Sequence, residues 1–198
     1  AYSFDRLVVC DRTAIAQMLI ANNFHFEYNC AVLSITGYPQ SIFSTVLEMV
    51  RRNRSLTVYA LHDASPSGIS LVNNLRTSPN WFGDGSVNIY DLGLLPRQVF
   101  KNPKVFVGES EEMKQQARQL SPAVRQNLRA EELSWLEAGK FVELESFSPQ
   151  KILQVLSQGI AKTRATAQAV DGGDGLVVVD GGDINGDYLQ FYIYDTFG

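Results

Sequence analysis

The chain has 198 residues, 45% hydrophobic and 11% aromatic, at a mean hydropathy of -0.08, which excludes a chain disordered throughout and suits one domain with a sizeable core. Seventeen Lys and Arg against twenty-one Asp and Glu leave a net charge of -4, excluding a wholesale basic surface for nucleic acid but not a local basic patch. No apolar run approaches the roughly 20 residues of a membrane-spanning helix, so an integral membrane protein is excluded as well.

Leu7 to Cys10 is a short apolar run without alternation, the pattern of a strand buried on both faces. Thr13 to Asn23 follows with Ile15, Met18 and Leu19 at helical spacing. Cys30 to Ile35 is the second predicted strand, closed by Thr36-Gly37-Tyr38-Pro39. Ser41 to Arg52 is amphipathic, with Arg51, Arg52 and Arg54 near its C-terminal end, where they suit the helix dipole. Leu56 to Leu61 is the third strand and runs into His62-Asp63-Ala64-Ser65-Pro66-Ser67-Gly68, then a helix carrying Ile69, Leu71, Val72 and Leu75. A fourth strand is predicted at Val87 to Tyr90. Repeated strand–helix–strand units predict an α/β fold with a parallel sheet and helices on both faces.

Beyond Pro103, one more short strand is predicted at Val105 to Val107, then helices over Glu109 to Leu120, Pro122 to Gly139 and Pro149 to Thr163. Residues 164–198 differ in character. The motif Asp-Gly-Gly-Asp occurs twice there, at Asp171 and at Asp180, beside the β-rich runs Leu176 to Val179 and Tyr188 to Tyr194. The nine-residue spacing matches calcium-binding β-helix repeats, but Val177 fills a required Asp position and two copies fall short of a stable stack. A Gly-rich hairpin is the preferred reading, with strands able to add to the sheet or pair with another chain. Cys10 and Cys30 are too few for a disulfide framework, so reduced, buried thiols in a cytoplasmic protein are expected. Ala1 leads directly into a strand pattern, so no secretory leader is expected. The absent Met leaves a processed terminus and a fragment of a longer protein both open.

Ligands of an open parallel sheet collect at the carboxyl ends of its strands. Asp11 follows the first strand and Asp63 the third, and such carboxylates can hold Mg²⁺ with help from water. From position alone, an N-cap for the next helix is the commoner role. Pro66-Ser67-Gly68 after Asp63 allows a tight turn and close backbone approach. His62 is a candidate proton shuttle or extra ligand, set against the more usual hydrogen-bonded structural histidine. Lys140 is read as a cation at a helix C-terminus, and the scattered arginines, Arg76 and Arg97 among them, as solvated faces rather than a patch.

Taken in order, VVCDRTAIAQML, NCAVLSITGYP, LTVYALHDASPSGISLV, VNIYDLGLLPRQV and LRAEELSWLEAGKFVELESF resemble the Toprim domain shared by the meiotic double-strand-break proteins and the related DNA topoisomerase VI A subunit. The resemblance covers residues 4–160. It implies a Toprim-like (Rossmann-like) parallel sheet flanked by helices over residues 1–163, with a helical extension, ahead of the hairpin tail at 164–198. It also implies a Mg²⁺ site for cleavage and religation of DNA phosphodiesters. The family's first acidic ligand matches Asp11, where Glu is usual, with Arg12 at the basic position after it, and the first Asp of the paired motif matches Asp63. Its second Asp is Ser65 here, which removes a negative charge from a hard-cation site and leaves a two-ion clamp poorly supported. Arg12, His62 and Gly68 are further candidates for phosphate binding or proton transfer.

The family's nucleophile is a Tyr on a winged-helix domain that precedes the Toprim domain, whereas this chain opens at the first Toprim strand. Tyr2, Tyr28, Tyr38, Tyr59 and Tyr90 read as packing. Two functions are therefore expected to compete. One is a Mg²⁺-binding module for DNA chemistry completed by partner domains or chains. The other is a catalytically degenerate Toprim domain serving as a binding, dimerisation or scaffold module, with a protein partner or a second copy of itself.

Overall fold

β1 (Arg6–Cys10) shows why both faces of the sheet must be covered: Leu7, Val8, Val9 and Cys10 are all fully buried, although alternate side chains point in opposite directions. The computed structural model describes residues 4–85, 87–100 and 104–171, with side chains to residue 163. β1 pairs in parallel with β2 (Ala31–Ser34) on one side and β3 (Thr57–Leu61) on the other, and β3 pairs in parallel with β4 (Asn88–Asp91). The order is β2-β1-β3-β4. The chain therefore leaves β1 toward one edge and returns to its other side, which makes the crevice beyond β1 and β3 the topological switch point.

Val8, Cys10, Tyr59 and Leu61 face a core layer closed by α1 (Thr13–Ala21), α2 (Phe24–Glu27) and α10 (Pro149–Asp171), the last through Ile152, Val155, Leu156 and Ile160. Leu7, Val9, Val58 and Ala60 face a second layer that includes Val50 of α3 (Phe43–Arg51) and Leu71 and Leu75 of α5 (Leu71–Thr77). Burying each Val, Leu or Ile side chain among these contributes about 1.5–3 kcal/mol, so neither layer is dispensable. The short α4 (Pro66–Ile69) precedes α5, and α6 (Pro96–Val99) follows β4. The predicted α/β sheet is thus present, strand for strand through β4. Cys10 and Cys30 are free and buried, and burial pushes the Cys30 thiol up to about 12, which keeps it protonated. No helix among the described residues is long and apolar enough to cross a membrane.

Several boundaries differ from the sequence expectations, each for a local reason. Val105 to Val107 is no strand: Phe106 is 78% exposed, and the pairing begins one residue later at β5 (Gly108–Glu109), antiparallel to β6 (Lys140–Phe141). A Cβ on Gly108 would lie 2.4 Å from the Phe141 ring, so a larger residue there would require that ring to shift. Glu109 therefore belongs to a strand, and α7 (Glu111–Arg118) starts after Ser110, whose hydroxyl accepts from Met113 N. The helix expected over Pro122 to Gly139 divides into α8 (Pro122–Gln126) and α9 (Ala130–Glu137). The buried Glu132 carboxylate starts the second piece, accepting from the backbone N–H of Arg129 and of Arg97. Gly139, at φ +83°, then turns the chain into β6, so Lys140 is a strand residue and not a helix cation. α10 continues beyond Thr163 to Asp171. Tyr2, the β-rich runs and the repeated Asp-Gly-Gly-Asp motif beyond Asp171 lie outside the described residues.

Candidate functional site at the strand ends

Asp11 and Asp63 leave the sheet at the ends of β1 and β3 and meet across the switch point. Asp63 N donates to Asp11 Oδ2 at 3.3 Å. Neither carboxylate caps a helix, contrary to the commoner role of such residues. Arg12 is the N-cap of α1 without a side-chain cap bond, and Ser65 caps α4 by accepting from Gly68 N at 3.1 Å. Pro66 at the first helical position suits this start. Gly68 is required by close approach, because a Cβ there would lie 2.2 Å from the Asp63 carbonyl oxygen.

Both oxygens of the Asp63 carboxylate are engaged. Arg12 Nε donates to Oδ2 at 2.6 Å and Arg12 Nη2 to Oδ1 at 3.1 Å, while Leu144 N donates to Oδ1 at 2.8 Å. The same guanidinium forks onto Glu145, with Nη1 donating to Oε2 at 2.8 Å and Nη2 to Oε1, and Glu143 lies 4.0 Å away. Burial opposes the charge on Arg12, but its bonds to Glu145 and Asp63 outweigh it and hold the guanidinium protonated. Arg12's bond in turn holds the Glu145 carboxyl below its ordinary range. Asp11 Oδ1 is buried and has no hydrogen-bond partner. Desolvation, and then the charge of Asp63, push the Asp11 carboxyl up to about 6.

His62 is sealed beneath this corner with no exposure. Its Nδ1 lies 2.7 Å from the Asp63 carbonyl oxygen and its Nε2 2.7 Å from Asp91 Oδ1. Both partners accept, so both nitrogens donate and the ring carries two protons. Burial alone would lower its pKa; the charge and hydrogen bond of Asp91 raise it to about 9. Neither nitrogen is left to bind a metal or to pass a proton to solvent. Asp91 Oδ1 also accepts from Gly93 N, and a Cβ on Gly93 would lie 2.0 Å from the imidazole ring.

The structure thus brings together Asp11, Arg12, His62, Asp63, Ser65 and Gly68, all six candidates from the sequence, and adds Asp91, Glu143 and Glu145. Asp91 was legible: it ends a parallel strand just as Asp11 follows one. Glu143 and Glu145 had only a weak signal, the acidic–aliphatic run Val142 to Ser146, because their place depends on a contact 133 residues away in sequence from Arg12. The arginines considered as a patch separate: Arg52 pairs with Glu48, Arg51 reaches Pro79 O and Asp84, and Arg97 faces Glu132.

These residues do not fit the Mg²⁺ site that the family resemblance implies. Asp11 Oδ1 is a free, buried hard donor of the right kind. Both Asp63 oxygens, however, accept from Arg12 and Leu144, and the Ser65 hydroxyl is committed to its cap. No group of three or more His, Cys, Asp or Glu side chains arranged to hold a metal occurs among the described residues.

A parallel sheet in this order, with acidic residues at the ends of its first and third strands, defines a doubly wound α/β domain with an acidic switch point. The chain matches the family model for the Toprim domain of Spo11 and the topoisomerase 6 A subunit over residues 6–162, and it belongs to that family. Among curated proteins none matches it.

Proposed function

We propose that the chain is a topoisomerase VI A-related Toprim module in which metal-dependent phosphodiester chemistry is degenerate, and that it serves a DNA-acting assembly as a binding, dimerisation or scaffold part. The observation that carries this reading is Ser65. At the position of the family's second paired Asp, its hydroxyl closes the first turn of α4 and offers no charge to a cation. The net charge of -4 agrees, since duplex binding by this module would draw basic surface from partner chains. Phe106 and Val107, exposed just before β5, supply apolar surface for such a partner.

One observation favours the other reading, a Mg²⁺-binding module completed by partner domains: the buried, unpartnered Asp11 Oδ1. Thermal unfolding of the full chain with and without millimolar Mg²⁺ or Mn²⁺ separates the two. A ligand at 100 times its Kd would add about 2.7 kcal/mol and raise the midpoint by several degrees. The degenerate reading expects no rise. A rise that Asp63→Ala abolishes would overturn it in favour of a working metal site.

A further inference from the structure

We infer that Arg12 is the resident cation of this site, holding by two forked ion pairs the carboxylates that a divalent ion would otherwise neutralise. The inference rests on the degenerate reading above and says what replaced the metal. A guanidinium is planar and presents five N–H groups, so it can take one carboxylate along its Nε–Nη2 edge and a second along its Nη1–Nη2 edge. Arg12 does both, with Asp63 on the first edge and Glu145 on the second. A lysine ammonium, being a point charge, cannot reproduce the two forks.

The two forks join three places distant in sequence: the end of β1, the end of β3 and the segment from Lys140 to Ser146. That segment is already laid against the strand ends by its backbone, with Ala64 N donating to Val142 O and Val142 N to Ala64 O, both at 3.0 Å. Leu144 N then donates to the Asp63 carboxylate. Arg12 closes the arrangement through Glu145, with its own side chain 32% exposed and Asp63 nearly buried at 5%. The cation thus stands at the mouth of the crevice, between solvent and the buried pair of carboxylates. An entering divalent ion would meet a fixed positive charge and an Asp63 carboxylate with no free oxygen. Asp11 Oδ1 behind it has no donor, and that unsatisfied oxygen marks where a cation would be drawn if Arg12 were removed.

The test is a thermal-shift titration of the full chain with Mn²⁺ in four forms: unaltered, Arg12→Gln, Arg12→Lys and Glu145→Gln. Arg12→Gln is expected to lower the midpoint without metal and to gain a Mn²⁺-dependent rise, half-maximal at a concentration at least about tenfold below that of any response of the unaltered chain. Arg12→Lys, which keeps the charge but loses the forks, is expected to lower the midpoint while gaining no such response. That contrast separates a charge role from mere packing. Glu145→Gln, a change at a half-exposed residue, keeps the test open should Arg12→Gln fail to fold, and is expected to lower the midpoint slightly without a Mn²⁺ response. Equal stability of Arg12→Gln and the unaltered chain would overturn the inference. So would an Arg12→Gln protein no more sensitive to Mn²⁺ than its parent, or, if that protein does not fold, a Glu145→Gln midpoint equal to the parent's. A Mn²⁺ response of the unaltered chain that Arg12→Gln sharpens about tenfold would sink the degenerate reading and leave the role of Arg12 standing.

Discussion

Two corners of the same crevice balance charge in opposite ways. Between β1 and β3, Arg12 faces Asp63 and Glu145 at the rim, where solvent reaches the guanidinium and Glu145. Beneath and to the side, between β3 and β4, the protonated His62 faces Asp91 with no solvent on the imidazole at all. The Glu145 arm of the rim can be opened by a substitution at modest cost, because water screens the half-exposed groups left behind. The sealed imidazolium cannot lose Asp91 so cheaply, because its charge would then be uncompensated in the interior. The chemistry open to change therefore lies at the rim, while the buried pair sets the geometry of the Asp63 turn.

The largest effect expected from this contrast is at the sealed corner. Asp91→Ala leaves the imidazolium without its counter-charge and should cost about 3–5 kcal/mol in urea unfolding, far more than Glu145→Gln at the rim. Comparable losses at both would break the contrast. The same pair fixes a pH dependence. His62 is raised from 6.5 to about 9, so its stabilisation is complete below about pH 6.5 and is lost as pH rises through 9. Asp11, raised from 3.8 to about 6, has the same sign at lower pH: its protonated form is favoured in the fold, and the benefit is lost as pH rises through 6. Unfolding midpoints should therefore fall from pH 6.5 to pH 9.5. The alkaline part of that fall should vanish in Asp91→Ala, and its persistence there would remove His62 from the account.

Next in size is Gly68→Ala. The added methyl would meet the Asp63 backbone oxygen, not a flexible side chain, so the turn carrying Asp63 must shift. A loss of about 1–3 kcal/mol is expected, together with a weaker Arg12–Asp63 pair. A stability unchanged in chemical denaturation would show that the turn gives way freely.

The sheet was legible because its signal is local. The apolar run Leu7 to Cys10 and the β-rich run Leu56 to Leu61 read as strands covered on both faces, and an acid after each falls at the switch point by topology alone. The partners of those acids were not legible. Arg12 reads as a phosphate-facing base until Glu145 is brought to it from 133 residues away, and Gly93 gives no hint that it makes room for an imidazole. The break between α8 and α9 was hidden for the same reason: it is set by Glu132 serving the start of α9 and the distant Arg97 at once.

The smallest effect bears most directly on how the site came to differ from its family. Ser65→Ala removes the cap of α4 and should cost about 1 kcal/mol. Asp caps a helix about as well as Ser, so capping by itself gives no reason for the family's carboxylate to be absent here. The reason lies in charge. Ser65 is 3% exposed and two residues from Asp63, and the Arg12 guanidinium is already shared between Asp63 and Glu145. A third carboxylate would be buried without a cation, which disfavours its ionised form. Ser65→Asp should therefore keep the cap, yet be less stable than the parent at neutral pH and recover as Mn²⁺ is added or as the pH is lowered. If Ser65→Asp matches the parent without metal, the rim has charge capacity to spare, and the division between an adaptable rim and a sealed interior fails at its most sensitive point.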